Sequence, residues 1–386
     1  MSSTVSTAPF SKAVVSAMRK LYPEALADQS WDNTGLLLEA PFDPLRRQMN
    51  SVLLTVDLTK AVVDEAIERN DSVIVSYHPI IFRGLKSLTL GDSQQQSLLR
   101  LAAEGISVYS PHTAIDAAPG GLGDWLADIV SGTPTEVPEE APEENDEDAD
   151  EDSPSNAPPT PALNGEDPFV APKRPVYMLQ HHPSHHGVKE EALKLASTKH
   201  TRQAIKPVTV DGISNAGMGR IVRFSTPVPL VEIIERIGQG LGKPKGFPIA
   251  VPQGANVVDI SIRSVAICAG SGGSLFAGLH DVDLLFTGEL SHHEALAAIE
   301  RGQCVITLFH SNTERGFLHS VLKSQLLEQV KVEWEKVRKA EAKKIKGIGG
   351  VEEEEWKEAL EDDFVSVEVS EVDRDPYGIL INKDEV

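Results

Sequence analysis

Apolar residues along this chain fall in short, nearly unbroken runs separated by helical patterns, and that alternation sets the fold class. Ser51–Asp57 (SVLLTVD) and Ser72–Ser76 (SVIVS) are mostly apolar at consecutive positions, as strands covered on both faces must be. Between them Val62, Val63, Ala66 and Ile67 recur at helical spacing and predict a helix over Ala61–Arg69. A helix around Ser97–Glu104 then leads into a short strand at Ile106–Tyr109. The second half repeats the theme: strand Ser264–Cys268, a turn at Gly270–Gly273, a short helix over Ser274–Leu279, strand Asp283–Thr287, helix His292–Glu300 and strand Cys304–Phe309. Such βαβ alternation predicts an α/β fold, with two facing α/β lobes, mixed but mainly parallel sheets, and functional loops at the strand C-terminal ends. Val14–Tyr22 reads as a first helix, and Phe364–Val369 (FVSVEV) alternates with period two, as a half-buried closing strand does.

Two stretches break the pattern. Thr133–Pro175 carries 10 of the chain's 25 prolines, and Glu136–Asp167 within it holds 13 acids with no Lys or Arg. A segment of this composition has too little apolar surface to offset its ordering entropy, so it is expected to be a disordered acidic insertion. The second stretch, about 331–363, begins with seven Lys/Arg and three Glu over Lys331–Lys346, passes through Gly347–Gly350, and ends in eight acids and one Lys over Val351–Asp363. It reads as a charged helical insertion, a solvated helix followed by one of opposite charge. The expected division is therefore an N-terminal lobe at 1–132, the insertion at 133–175, and a C-terminal lobe at 176–386 containing the second insertion.

Charge sharpens this division. The formal net charge is −22, but the two acidic blocks carry −13 and −7 and leave the remainder at −2. The acidity makes a nucleic-acid partner unexpected, since such a partner needs a basic footprint. Two cysteines, Cys268 and Cys304, are too few for a disulfide framework and read as buried thiols of a reducing compartment. No apolar stretch reaches the ~20 residues needed to span a bilayer. Met1–Lys20 contains Lys12, Arg19 and Lys20 with no acid, similar to a mitochondrial presequence. The cytoplasm is the expected compartment, with the mitochondrion or nucleus as alternatives.

Twelve histidines carry the candidate chemistry. His78, His112 and His310 each follow a predicted strand, and His112 and His310 are followed four residues later by Asp116 and Glu314. Residues i and i+4 of a helical turn share a face, so each pair can grip one ion, and imidazole with carboxylate suits Zn, Mn or Fe(II). Capping of the next helix is the competing role for Asp116 and Glu314. His292 and His293 open a helix after Gly288-Glu289-Leu290-Ser291, while His181, His182, His185 and His186 crowd a Pro-containing loop with no carboxylate before Glu190. His200, His280 and His319 stand apart. Gly270-Ser271-Gly272-Gly273 can present backbone N–H groups to a phosphate, although it lacks a P-loop lysine and reads first as a tight turn.

Five motifs occur in order: Ser30-Trp31-Asp32-Asn33-Thr34-Gly35-Leu36-Leu37, Ser76-Tyr77-His78-Pro79, His112-Thr113-Ala114-Ile115-Asp116, Thr287-Gly288-Glu289-Leu290-Ser291-His292-His293-Glu294 and His310-Ser311-Asn312-Thr313-Glu314-Arg315. Together they resemble the NIF-three-like family (NGG-one-interacting factor three), whose bacterial members are also called GTP cyclohydrolase I type 2 homologues. The resemblance covers about residues 12–130 and 210–330 and the closing strand. It implies a toroidal homohexamer and a dinuclear metal centre between the lobes. Its ligand set falls here on Tyr77 and His78, Asp116, His310 and Glu314, with His112 a weaker ligand or a supporting group. Tyr77 is a departure, since the bacterial members carry the first histidine of the pair there. The expectation is one firm ion on His78, Asp116 and Glu314, and a weak or empty second site on His310 and the shared Glu314, hence one or two divalent ions per chain.

The function this implies is a metal-dependent hydrolase of a phosphorylated or nucleotide-like small molecule. Glu314 would bridge or orient, His112, His292 or His293 would move protons, and Glu289 is a further candidate base. The alternative is a non-catalytic adaptor with a structural metal, using the acidic insertion to bind a protein partner.

Overall fold

The computed structural model describes residues 7–43, 46–131, 177–181, 198–345 and 351–382. The chain divides into two compact units, Met1–Pro134 with His181–Gly378, and Thr135–Gln180 with Ile379–Val386. The acidic insertion lies outside the described residues, as does the histidine-rich loop beyond His181.

The first lobe of the large unit opens with α1 (Pro9–Leu21), β1 (Gly35–Leu38) and β2 (Met49–Thr55). It continues through α2 (Lys60–Arg69), β3 (Asp71–Ser76), α3 (Ser93–Glu104), β4 (Ser107–Ser110), α4 (Thr113–Ala117) and α5 (Leu122–Ser131). The second lobe follows β5 (Tyr177–Gln180), a strand of the small unit, with β6 (His200–Pro207), β7 (Gly217–Pro229), α6 (Leu230–Gly240), β8 (Ile249–Ala250) and β9 (Ser261–Ser271). Next come α7 (Gly273–Phe276), β10 (Leu284–Glu289), α8 (His292–Glu300), β11 (Cys304–Thr307), α9 (Arg315–Phe317), α10 (Lys323–Lys344), α11 (Val351–Glu361), β12 (Ser366–Val369) and β13 (Ile379–Asn382). In the small unit β5 and β13 form an antiparallel ribbon.

The large unit holds two mixed sheets, ordered β1-β4-β3-β2-β12 and β6-β7-β9-β10-β11-β8. In the first, β12, β2, β3 and β4 are parallel and β1 is antiparallel. In the second, β9, β10 and β11 are parallel between antiparallel neighbours. Consecutive strand residues face opposite sides, and both sides are covered, which is why these strands read as continuous apolar runs. Leu53, Ile74 and Val108 pack with Val62, Val63, Leu98 and Leu101 on one side of the first sheet. Val52, Leu54, Val73 and Val75 join the central core, which they share with Val222, Val265, Ile267, Phe286 and Ile306 of the second sheet. The outer side of the second sheet packs Ile221, Ala266, Leu285 and Val305 against Phe276 and Ala298. The two lobes thus face one another across one core.

Three features differ from the sequence reading. The long antiparallel pair β6–β7 and helix α6 have no counterpart in it, because β6 alternates between half-buried and exposed positions with Arg202 and Lys206 among them. The described residues of the stretch at 331–363 include the end of α10 and all of α11, but α10 is not a solvated insertion. Val330, Glu333 and Trp334 of α10 are buried against α1, with the Trp334 indole edge-on to Phe10 at 5.5 Å. The closing strand β12 joins β2 in the first sheet rather than the second lobe, because Ser366–Val369 pairs in register with Ser51–Leu54. Among the described residues no helix is long and apolar enough to cross a membrane.

Candidate metal centre

The parallel strands of each sheet deliver their following residues to one edge. Asp57 follows β2, Tyr77 and His78 follow β3, and His112 follows β4; in the second sheet His310 follows β11, and Glu289 ends β10. Because β1 is antiparallel to β4, with Gly35 opposite Ser110, the loop before β1 brings Trp31 and Asp32 to the same edge. These loops surround a cavity of about 690 Å³ lined among others by Trp31, His78, Phe82, His112, His310 and Glu314.

At its base, ligand atoms of His78, His310 and Glu314 lie within 4.8 Å of one another. Glu314 Oε2 is 3.5 Å from His78 Nε2, and Glu314 Oε1 is 3.5 Å from His310 Nε2. These separations are too long for good hydrogen bonds, and Glu314 Oε2 is buried without a partner. A buried carboxylate oxygen with nothing to accept is costly, and a cation between the three side chains would satisfy it. Gly270, at φ +59°, completes the cradle: a Cβ there would sit 2.6 Å from Glu314 Oε1 and 2.8 Å from His310 Nε2. Two imidazoles and a carboxylate are a donor set for a divalent transition metal, so the residues fit an ion.

The histidines are oriented by carboxylates. His78 Nδ1 is 2.9 Å from Asp57 Oδ1, His112 Nδ1 is 2.6 Å from Asp32 Oδ1, and His310 Nδ1 is 2.8 Å from Glu289 Oε1. A carboxylate on one ring nitrogen leaves the other free to face a metal and raises its basicity. Burial would push His78 down, but Glu314 and Asp57 outweigh it and bring it to about 10. An ion held by these side chains would take the place of a proton on His78.

Asp116 is placed differently from its expected role. It does not join the His78–His310–Glu314 group but accepts a 2.8 Å hydrogen bond from the Tyr77 hydroxyl. Burial raises Asp116 to about 6 and Tyr77 well above its ordinary value, so the phenol stays neutral. The cluster on the cavity floor is thus His78, His310 and Glu314, in place of the expected His78, Asp116 and Glu314. His112 lines the cavity beside it, its ring 5.5 Å from that of His78. His292 and His293 are exposed at the start of α8, away from the cavity lining. There Ser291 and Glu294 form a reciprocal cap. His200 is bonded to Thr198 and Ser131.

Sequence reading named His78, His310 and Glu314 as candidate ligands and Glu289 as a candidate base, and gave no role to Asp32 or Asp57. Asp57 closes the SVLLTVD strand and Asp32 sits in the WDNTG motif, so both were visible as acids at strand ends. Which histidine each would meet depends on strand order, which the sequence does not display.

The sequence matches the family Duf34/NIF3 (NGG1p interacting factor 3) over residues 11–343. The chain belongs to this family. It is 40% identical over 323 residues to "Protein NIF3 homolog" of Schizosaccharomyces pombe, covering 83% of this chain and 91% of that protein. It is 36% identical over 337 residues to "NGG1-interacting factor 3" of Saccharomyces cerevisiae, covering 85% and 94%. Among solved structures it resembles the Bacillus cereus protein related to NIF3, at 20% identity and TM-score 0.56, covering 97% of this chain and 99% of that one. That likeness supports the fold alone.

Proposed function

We propose that this NIF3-family chain is a metal-dependent hydrolase of a phosphorylated or nucleotide-like small molecule. The observation that carries the reading is the convergence of His78, His310 and Glu314 on a cavity floor, with each cavity histidine fixed by its own carboxylate. The cavity volume, about 690 Å³, suits a small molecule. An ion held by His78, His310 and Glu314 would supply Lewis acidity and a water of lowered pKa.

The chain's own residues supply the rest. His112, held by Asp32 and lining the cavity, is the group placed to carry a proton. Trp31 packs edge-on against the His112 ring at 5.7 Å and with Phe82 at 5.9 Å, giving the mouth an aromatic wall. Lys206, paired with Asp28 at 2.9 Å, is the cation on the lining and can meet an anionic group of the substrate. His292 and His293 are assigned no part in this reading, since they lie off the lining. The test is a turnover screen over phosphorylated and nucleotide substrates with metal-loaded protein. Glu314→Gln should abolish the metal-dependent turnover, and unchanged activity would remove Glu314 from the mechanism.

The name of the Saccharomyces cerevisiae relative, an interacting factor, favours a second reading as an adaptor with a structural metal. In that case the acidic segment Glu136–Asp167 would be its contact with a basic protein partner. Assembly as a homohexamer and residence in the cytoplasm accompany either reading and are checked by mass measurement in solution and by cell fractionation.

A further inference from the structure

The segment that follows β12 makes contacts out of proportion to its length. Ser370 N–H donates to Leu54 O at 2.8 Å, and its hydroxyl bonds Glu65. Asp373, 1% exposed, accepts from the Val56 N–H at 2.8 Å and pairs with Arg315 through Oδ1 at 3.1 Å and Oδ2 at 3.2 Å. Asp375, 2% exposed, accepts from both the backbone N–H (3.0 Å) and hydroxyl (2.8 Å) of Ser311. The ring of Tyr377 lies 6.0 Å from that of Phe309.

The residues held by Asp373, Asp375 and Tyr377 each adjoin a member of the candidate centre. Val56 precedes Asp57, which orients His78; Ser311 follows His310; Arg315 follows Glu314. Phe309, just before His310, has φ +67°, a left-handed conformation costly for a bulky residue and kept only where the surroundings enforce it. Arg315 also donates to the Ser311 hydroxyl at 3.0 Å, so the two aspartates and the ligand loop form one buried network. None of the three residues Asp373, Asp375 and Tyr377 lines the cavity.

We propose that Ser370–Tyr377 is a clamp that sets the donor geometry of the metal centre, with Asp373 and Asp375 as positioning residues for an ion they do not touch. Asp375 holds the loop carrying His310 against the strain at Phe309. Asp373 ties the loop carrying Glu314 to the end of β2, and so joins donors from the two sheets. This rests on the reading of His78, His310 and Glu314 as a metal site, and it assigns the chain's closing segment a role that distance in sequence hides.

The experiment titrates full-length, metal-stripped protein with Co(II), following the visible absorption of the bound ion, and records the melting temperature in chelator alongside. Asp375→Ala should weaken Co(II) binding by about 10–100-fold and alter the absorption bands, the range found when groups supporting metal ligands are removed. Asp375→Asn keeps an acceptor oxygen for Ser311 and should recover most of that loss. Tyr377→Ala removes an exposed ring without emptying the core and should weaken binding several-fold, so it decides the matter if Asp375→Ala does not fold. Glu314→Gln is the control: if it binds Co(II) as the unaltered protein does, the metal reading itself fails. If Glu314→Gln loses the ion while Asp375→Ala and Tyr377→Ala keep full affinity and unchanged bands, the clamp is purely structural and the proposal is overturned.

Discussion

At the scale of single residues, the balance between one ion and two turns on Tyr77. Its hydroxyl donates to Asp116 Oδ1, so this side chain both offers no nitrogen donor and occupies a carboxylate oxygen. The unaltered protein should hold about one ion per chain by elemental analysis, and Tyr77→His, which supplies the nitrogen and frees Asp116, should raise the content toward two. An unchanged content in a folded Tyr77→His protein would show that Asp116 is no ligand. Gly270 gives a second test, because there a methyl group meets Glu314 and His310 directly and φ is +59°. Gly270→Ala should reduce metal affinity at least tenfold and cost about 1–2 kcal/mol of stability from the left-handed backbone, measurable by chemical denaturation. The histidines and Glu314 were legible in the sequence as candidates because ligand chemistry restricts residue type. Asp32 and Asp57 were not assigned their roles, since an acid after a strand has many possible partners until the strand order is known.

At the scale of elements, α10 carries the main correction. Its charge count suggested a solvated helix, yet Leu326, Val330 and Trp334 lie four apart and form a narrow buried stripe. Two of its glutamates belong to the contact rather than to solvent: Glu333 accepts from Lys20 at 2.6 Å, and Glu341 from Lys12 at 3.2 Å, both lysines on α1. The lysines that gave the N-terminal stretch its basic character are thus the partners of charges on a helix 300 residues away, a pairing invisible to composition. Trp334→Ala should cost about 3–5 kcal/mol, the range for a large aromatic lost from a core, and a cost under 1 kcal/mol would return α10 to the surface. Burial pushes Glu333 up, but the bonds from Lys20, Lys336 and Ser16 dominate and hold it at about 2, below its ordinary 4.5. A carboxylate depressed in the folded state stabilises above about pH 4.5, and that contribution is lost as pH falls toward 2. Glu333→Gln should therefore be less stable at neutral pH and show a shallower loss of stability across that acid window, as followed by urea melts at stepped pH.

At the scale of the whole molecule, α/β alternation was readable because strands covered on both faces leave long apolar runs, whereas β6, which alternates between half-buried and exposed positions, does not. The return of β12 to the first sheet was unreadable for a different reason: the strand's own residues fix its period, not its neighbour. That return adds the last strand of the first sheet after the chain has built the second, and the candidate metal centre lies between loops drawn from both. The acidic segment lies outside the described residues, and His78, His310, Glu314 and the carboxylates that orient the histidines all lie outside the segment. Excising Thr133–Pro175 and joining the ends with a short Gly/Ser linker removes 13 acids and two basic residues, taking the formal charge from −22 to −11. A hydrolase built on His78, His310 and Glu314 should then keep its melting temperature within a few degrees and its metal-dependent turnover within about twofold. An adaptor should keep its fold and metal but lose a partner that the intact chain captures, in a manner reversed by salt, because screening weakens contacts between exposed charges. Loss of metal or of folding on excision would contradict both readings.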